Sequence, residues 1–161
     1  MALAINREDI PTPPAVRHLS LVPRWTRIRG FQNGRAAVEL DGKWTFIDES
    51  GRTIAPLTFD GVWDFWEGLA AVQIEGLWGF LDLQGSMAIF PQFEEASRFS
   101  EGLAKVRANG LWGYIDCYGQ IAIDPQYTIA HHFAEGMALV KSNRKLHYID
   151  TRGKSVWFPA D

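Results

Sequence analysis

A chain of 161 residues can bury a core without disulfide staples, and its single cysteine, Cys117, excludes an internal disulfide framework. A net charge of −3, with 47% hydrophobic and 22% charged residues, excludes a strongly basic polyanion binder and a charge-rich unfolded chain. No apolar run reaches the roughly 18 residues of a membrane-spanning helix, and the start, MALAINREDIPTPPAVRHLS, lacks the basic-then-apolar order of a secretory signal, so a cytoplasmic protein with no membrane contact is expected.

Residues 1–17 hold Pro11, Pro13 and Pro14 among mixed charges and read as an extended leader. From residue 18 to 161 the chain reads as one domain. Its first stretch, Leu19, Leu21, Pro23 and Trp25, matches Met87, Ile89, Pro91 and Phe93 much further on, which predicts an extra N-terminal capping strand. A repeat follows at a step of 34: Phe31, Phe65, Phe99 and Phe133. Each Phe is followed in register by a Gly (Gly34, Gly68, Gly102, Gly136), an Ala (Ala36, Ala70, Ala104, Ala138) and a Val (Val38, Val72, Val106, Val140). The units are about 31–64, 65–98, 99–132 and 133–161.

Within a unit the signals are those of strands. Leu69 to Ile74 alternates as a half-buried strand, and Glu75-Gly76, with its counterparts Asp41-Gly42 and Asn109-Gly110, predicts a tight hairpin turn with left-handed residues. Trp78 to Leu81 is the second strand and is apolar on both faces, so it is expected to be the most buried. Gly79 and Gly113 stand in this strand without a Cβ, which lets another backbone approach. Asp82 to Gly85 and the equivalents starting at Asp48, Asp116 and Asp150 predict a turn in which the Asp side chain accepts from a backbone amide. Met87 to Phe90 is the third strand, ended by Pro91, and Phe93 to Arg98 is left as a connection with room for one irregular or helical turn. The expected fold is therefore all-β: four tandem three-stranded antiparallel meanders, stacked as an open array rather than a closed ring.

The pattern of aromatic-x-x-Gly-x-Ala-x-Val, then Trp-Gly-aromatic, Asp and Gly, resembles the WG-repeat family, also called KWG repeats. The resemblance covers about residues 19–161, although the Trp-Gly pair itself survives only in Trp78-Gly79 and Trp112-Gly113, with Trp44-Thr45 and Leu146-His147 in the outer units. It implies a bacterial, β-rich, non-catalytic repeat protein. Similar WG-repeat proteins occur as immunity proteins beside bacterial toxins, which implies a protein partner and makes a basic toxin domain its sharpest form.

Residue chemistry adds little in favour of catalysis. The aspartates recur with the repeat, as turn residues do, and Cys117 is expected to be a small buried or half-buried side chain. His131-His132 has no further ligand at metal spacing, so neither metal nor cofactor is expected. Ser142-Asn143-Arg144-Lys145 has the letters of a nucleophile motif but falls in a hairpin turn. The informative residues are those that break the repeat. Trp63 stands where other units have Ser97 and His131, and Trp66 where they have Gln32, Ser100 and Ala134. Trp63 and Trp66, with Glu94, Glu95, Arg98 and the pair His131 and His132, form the candidate partner-binding surface; the plainer reading has the two tryptophans filling a seam between units. Residues 65–98 hold five acidic and one basic side chain, which repels nucleic acid and favours a basic partner. Stacking of sugars on the repeated tryptophans, or a scaffold role in a larger assembly, are the alternatives.

Overall fold

The computed structural model describes residues 25–157, and every regular element among them is a β-strand. The first sheet is β1 (Arg27–Ile28), β2 (Arg35–Leu40) and β3 (Lys43–Asp48); the second is β4 (Gly61–Val62), β5 (Leu69–Ile74), β6 (Leu77–Asp82) and β7 (Met87–Phe93). The third is β8 (Glu95–Ser100), β9 (Leu103–Ala108), β10 (Leu111–Ile115) and β11 (Ile121–Tyr127); the fourth is β12 (Ile129–Ala130), β13 (Met137–Ser142), β14 (Lys145–Asp150) and β15 (Ser155–Trp157). All strand pairs are antiparallel neighbours in sequence, and no sheet closes into a barrel. The expected leader at residues 1–17 and the capping strand before Trp25 lie outside the described residues.

Two details differ from the sequence reading. Every meander opens with an additional strand, which makes the second, third and fourth sheets four-stranded, because the segment expected to connect units is the first strand of the next sheet: Arg27, Gly61, Glu95 and Ile129 open the sheets, each shortly before its recurrent Phe. In place of an irregular or helical turn, Glu95 to Ser100 is β8, paired along β9. The other difference is that β7 runs through Pro91. The register jumps from Phe80 opposite Ile89 to Trp78 opposite Phe93, so Pro91 sits in a bulge where the ladder asks for no N–H. Gly79 faces that bulge: a Cβ there would lie 2.4 Å from the Ile89 carbonyl oxygen, and one at Gly113 would lie 2.5 Å from that of Ile123. This is the physical need behind the glycine of the Trp-Gly pair. In the first unit, where Thr45 replaces the glycine, the third strand survives as separate bridges from Trp44 to Phe59 and from Ile47 to Thr53.

The turns behave as their residues require. Asp41-Gly42, Glu75-Gly76 and Asn109-Gly110 have positive φ at both positions. Asp82 Oδ1 accepts from the amides of Gln84 and Ser86, both at 2.9 Å, and Asp48, Asp116 and Asp150 repeat the arrangement. Cys117 lies in one of these turns and is exposed, not buried, because the middle of the turn points away from the sheet. Burial is shared by the two central strands of a sheet rather than concentrated in one.

Stacking makes the core. Phe46 meets Phe65 edge to face with centroids 4.8 Å apart; Phe80 meets Phe99 at 5.0 Å and Tyr114 meets Phe133 at 4.9 Å. One contact thus recurs at all three seams, joining a central strand of one sheet to the Phe of the next, and apolar clusters surround each copy. A second ladder runs along the turns: Asn33 Oδ1 accepts from the Gly68 amide at 3.1 Å, Glu67 from Gly102 at 2.9 Å and Glu101 from Gly136 at 2.9 Å. Among the described residues the first Phe has no preceding ring, and Phe31 is 49% exposed where its three equivalents are 1% exposed.

Candidate functional site

The first strands lie at the sheet edges, and residues one repeat apart on them are neighbours across a seam. At each seam a carbonyl of the next edge strand needs a donor. Arg29 Nη1 donates to Val62 O at 3.1 Å, and one unit later Trp63 Nε1 donates to Ala96 O at 3.1 Å. Trp63 therefore both seals a seam and stays 49% exposed. At the third seam the equivalent residue is Ser97, too short to cross. Ala130 O is reached instead by Lys105 Nζ from β9, at 3.0 Å.

That replacement opens a cleft of about 190 Å³ lined by Trp63, Ser97, Arg98, Lys105 and His132. Every lining residue departs from the repeat. Lys105 stands in a column otherwise filled by Ala37, Ala71 and Leu139, and Arg98 stands where Gly30 and Asp64 stand. The Arg98 guanidinium lies 4.2 Å from the Trp66 ring centroid, and Lys105 Nζ lies 4.6 Å from that of Trp112. Burial lowers the Lys105 pKa, with the Glu95 charge pulling the other way. Burial also lowers that of His132, helped by the charges of Lys105, Arg98 and His131, so its imidazole is held neutral. His132 Nδ1 is buried without a hydrogen-bond partner.

The candidates from sequence divide into two groups. Trp63, Arg98 and His132 line the cleft, and Trp66 supports it through Arg98. His131 joins His132 in a neighbouring shallow hollow with Glu135, Met137 and Tyr148. Glu94 and Glu95 are not in the cleft: Arg107 holds Glu95 at 2.7 Å, and Glu94 Oε2 accepts from the Gly110 amide at 3.0 Å. Sequence reasoning missed Ser97 and Lys105 as members of the site. A charged residue in a small, apolar column was the signal that could have found Lys105.

The repeated tryptophans are covered on at least one face. Arg27 and Arg29 lie over Trp44, Lys105 lies over Trp112, and a Cβ at Gly61 would sit 3.2 Å from the Trp78 ring. Among the described residues no three His, Cys, Asp or Glu side chains gather as a metal site requires, and no helix is long and apolar enough to cross a membrane.

Comparison with known proteins gives one family. The family described as "WG containing repeat" matches residues 22–44, 44–78, 78–112 and 112–145. No curated protein matches the chain. A crystal structure of a plant lectin with two metal binding sites from Cicer arietinum is similar over 84% of this chain and 92% of its own. At 11% identity and a TM-score of 0.33 it bears on neither fold nor ligand.

Proposed function

The chain belongs to the WG containing repeat family, and on that premise we propose that it is a non-catalytic protein-binding domain whose partner is gripped along the edge row from Trp63 to His132. One observation carries the reading. Residues that build the frame recur from unit to unit, while all five that line the cleft do not, and no seam needs an exposed tryptophan, since Arg29 seals the first one equally well. Frame residues explain stacking; the exceptions need another reason.

The finer form of the reading is that the partner is a toxin domain, bound and neutralised as an immunity protein does. The acidic excess over residues 31–98, eleven acidic against four basic side chains, supports attraction of a basic domain, with the cleft taking an acidic group within it. Sugar stacking has weaker support, because the repeat tryptophans are already covered by cations or backbone.

The test is capture of partners from the native host with the wild-type chain, Trp63→Ala and Trp63→Arg, followed by mass spectrometry and affinity measurement. Trp63→Arg copies Arg29 and keeps the seam carbonyl bonded. Both variants are expected to lose the partner by more than about 2 kcal/mol, about thirtyfold, with the melting temperature of Trp63→Arg near wild type. Unchanged affinity in both would overturn the reading.

A further inference from the structure

A cation and a carboxylate face each other at one seam, and at the next the carboxylate is gone. At the first seam Asp64 pairs with Arg29 Nη1 at 3.5 Å. One repeat on, the residue equivalent to Asp64 is Arg98; two repeats on it is His132, and Lys105 reaches into the same space. Nitrogen groups from β8, β9 and the segment after β12 thus converge on one small cleft, and no carboxylate lines it. Arg27, Arg29, Arg52 and Arg107 each have a carboxylate partner, whereas Arg98 and Lys105 form no ion pair among the described residues. Glu95, whose charge is felt at Lys105, is itself held by Arg107 at 2.7 Å.

The donors are presented for use. The Arg98 guanidinium carbon lies over the Trp66 ring, and a planar cation placed there can still offer two N–H groups to an in-plane, two-pronged acceptor. Lys105 Nζ has one bond, to Ala130 O, out of three donors. Trp63 forms an apolar wall beside them, half exposed. The surrounding charge then limits the ligand. Residues 65–98 are net acidic and would repel a polyanion such as nucleic acid, while a single carboxylate shielded by Arg98 and Lys105 is tolerated.

We propose that the Trp63–Ser97–Arg98–Lys105–His132 cleft is a carboxylate receptor, taking one acidic side chain of the protein partner on Arg98 and Lys105 while a neighbouring apolar residue of the partner lies on Trp63. It rests on the protein-binding reading above and names the chemistry of that contact. Binding sets an anion against two of the charges that hold His132 neutral, so the imidazole gains basicity in the complex.

The experiment is a nitrogen-15 NMR titration of the full chain, reading the Trp63 indole, Arg98 guanidinium and His132 ring signals. The probes are acetyl-Leu-Glu-Leu-amide, the same peptide with Gln or phosphoserine at the centre, and inorganic phosphate. The Glu peptide is expected to shift all three signals and to bind at least tenfold more tightly than the Gln peptide. Arg98→Asp, which copies the acidic residue of the previous unit, and Lys105→Ala, which copies Ala37 and Ala71, are each expected to weaken it at least tenfold with the backbone spectrum preserved. Equal binding of Glu and Gln peptides, shifts confined to other surfaces, or tighter binding of phosphate or the phosphoserine peptide would overturn the proposal. Loss of the host partner in Trp63→Arg, with Arg98→Asp and Lys105→Ala both binding it normally, would overturn it while leaving protein binding in place. Glu-peptide binding at the cleft without a Trp63-dependent host partner would do the reverse.

Discussion

Phe99→Ala and Phe31→Ala remove the same side chain at the same register of the repeat, yet stacking predicts very different costs. Phe99 is 1% exposed and meets Phe80 edge to face at 5.0 Å, amid Ala96, Ala104, Val106 and Ile115. Its truncation opens a cavity in a seam that strands cannot readily collapse, for a loss of about 3–5 kcal/mol. For a chain of this length that lowers the melting temperature by roughly 6–20 °C. Phe31 is 49% exposed and has no ring beneath it among the described residues, so its truncation costs about 1 kcal/mol or less. Thermal and urea denaturation followed by circular dichroism measure both, and Phe65→Ala and Phe133→Ala should behave like Phe99→Ala because they sit on Phe46 and Tyr114 in the same way. Equal shifts for Phe31→Ala and Phe99→Ala would refute stacked copies as the source of the core.

Gly79→Ala places a methyl group 2.4 Å from the Ile89 carbonyl oxygen and should cost about 1–3 kcal/mol in urea denaturation, whereas Thr45→Gly, which removes the Thr45 hydroxyl bond to the Ala55 carbonyl oxygen at 2.7 Å, should not stabilise the first sheet by a comparable amount. Because burial and the charges of Lys105, Arg98 and His131 lower the His132 pKa in the folded state, the unfolded chain binds the proton more readily. That stability is complete above the ordinary imidazole range near 6.5 and is lost as pH falls from there toward the folded value. The urea midpoint should therefore drop between pH 7.5 and 5.5, and His132→Gln should flatten the drop.

Much of the fold was legible because its turns demand particular residues. Left-handed positions called for Asn, Asp or Gly, the Asp turns announced their own hydrogen bonds, and the constant step of Phe, Gly, Ala and Val gave the stacking register. The fourth strand was not legible, since Glu94, Glu95 and Arg98 give an edge strand the composition of a loop; its partner β9 supplies what the composition does not. Part of the site could be read from departures in the repeat, and Trp63, Arg98 and His132 do meet at one cleft. Glu95 did not join them because it lies directly across the ladder from Arg107 and pairs there. Lys105 was missed because it breaks the repeat inside a strand, where a lone Lys looks like a solvated residue; only the short Ser97 beside it turns its ammonium toward the seam carbonyl.

Amide hydrogen exchange of the chain with and without its captured partner measures where the two proteins meet. Protection confined to residues 61–66, 95–100 and 129–134, the three edge segments that carry the cleft, is the expected footprint. Protection centred on the hairpin turns at Asp41-Gly42, Glu75-Gly76 and Asn109-Gly110, with those edge segments exchanging as in the free chain, would contradict it.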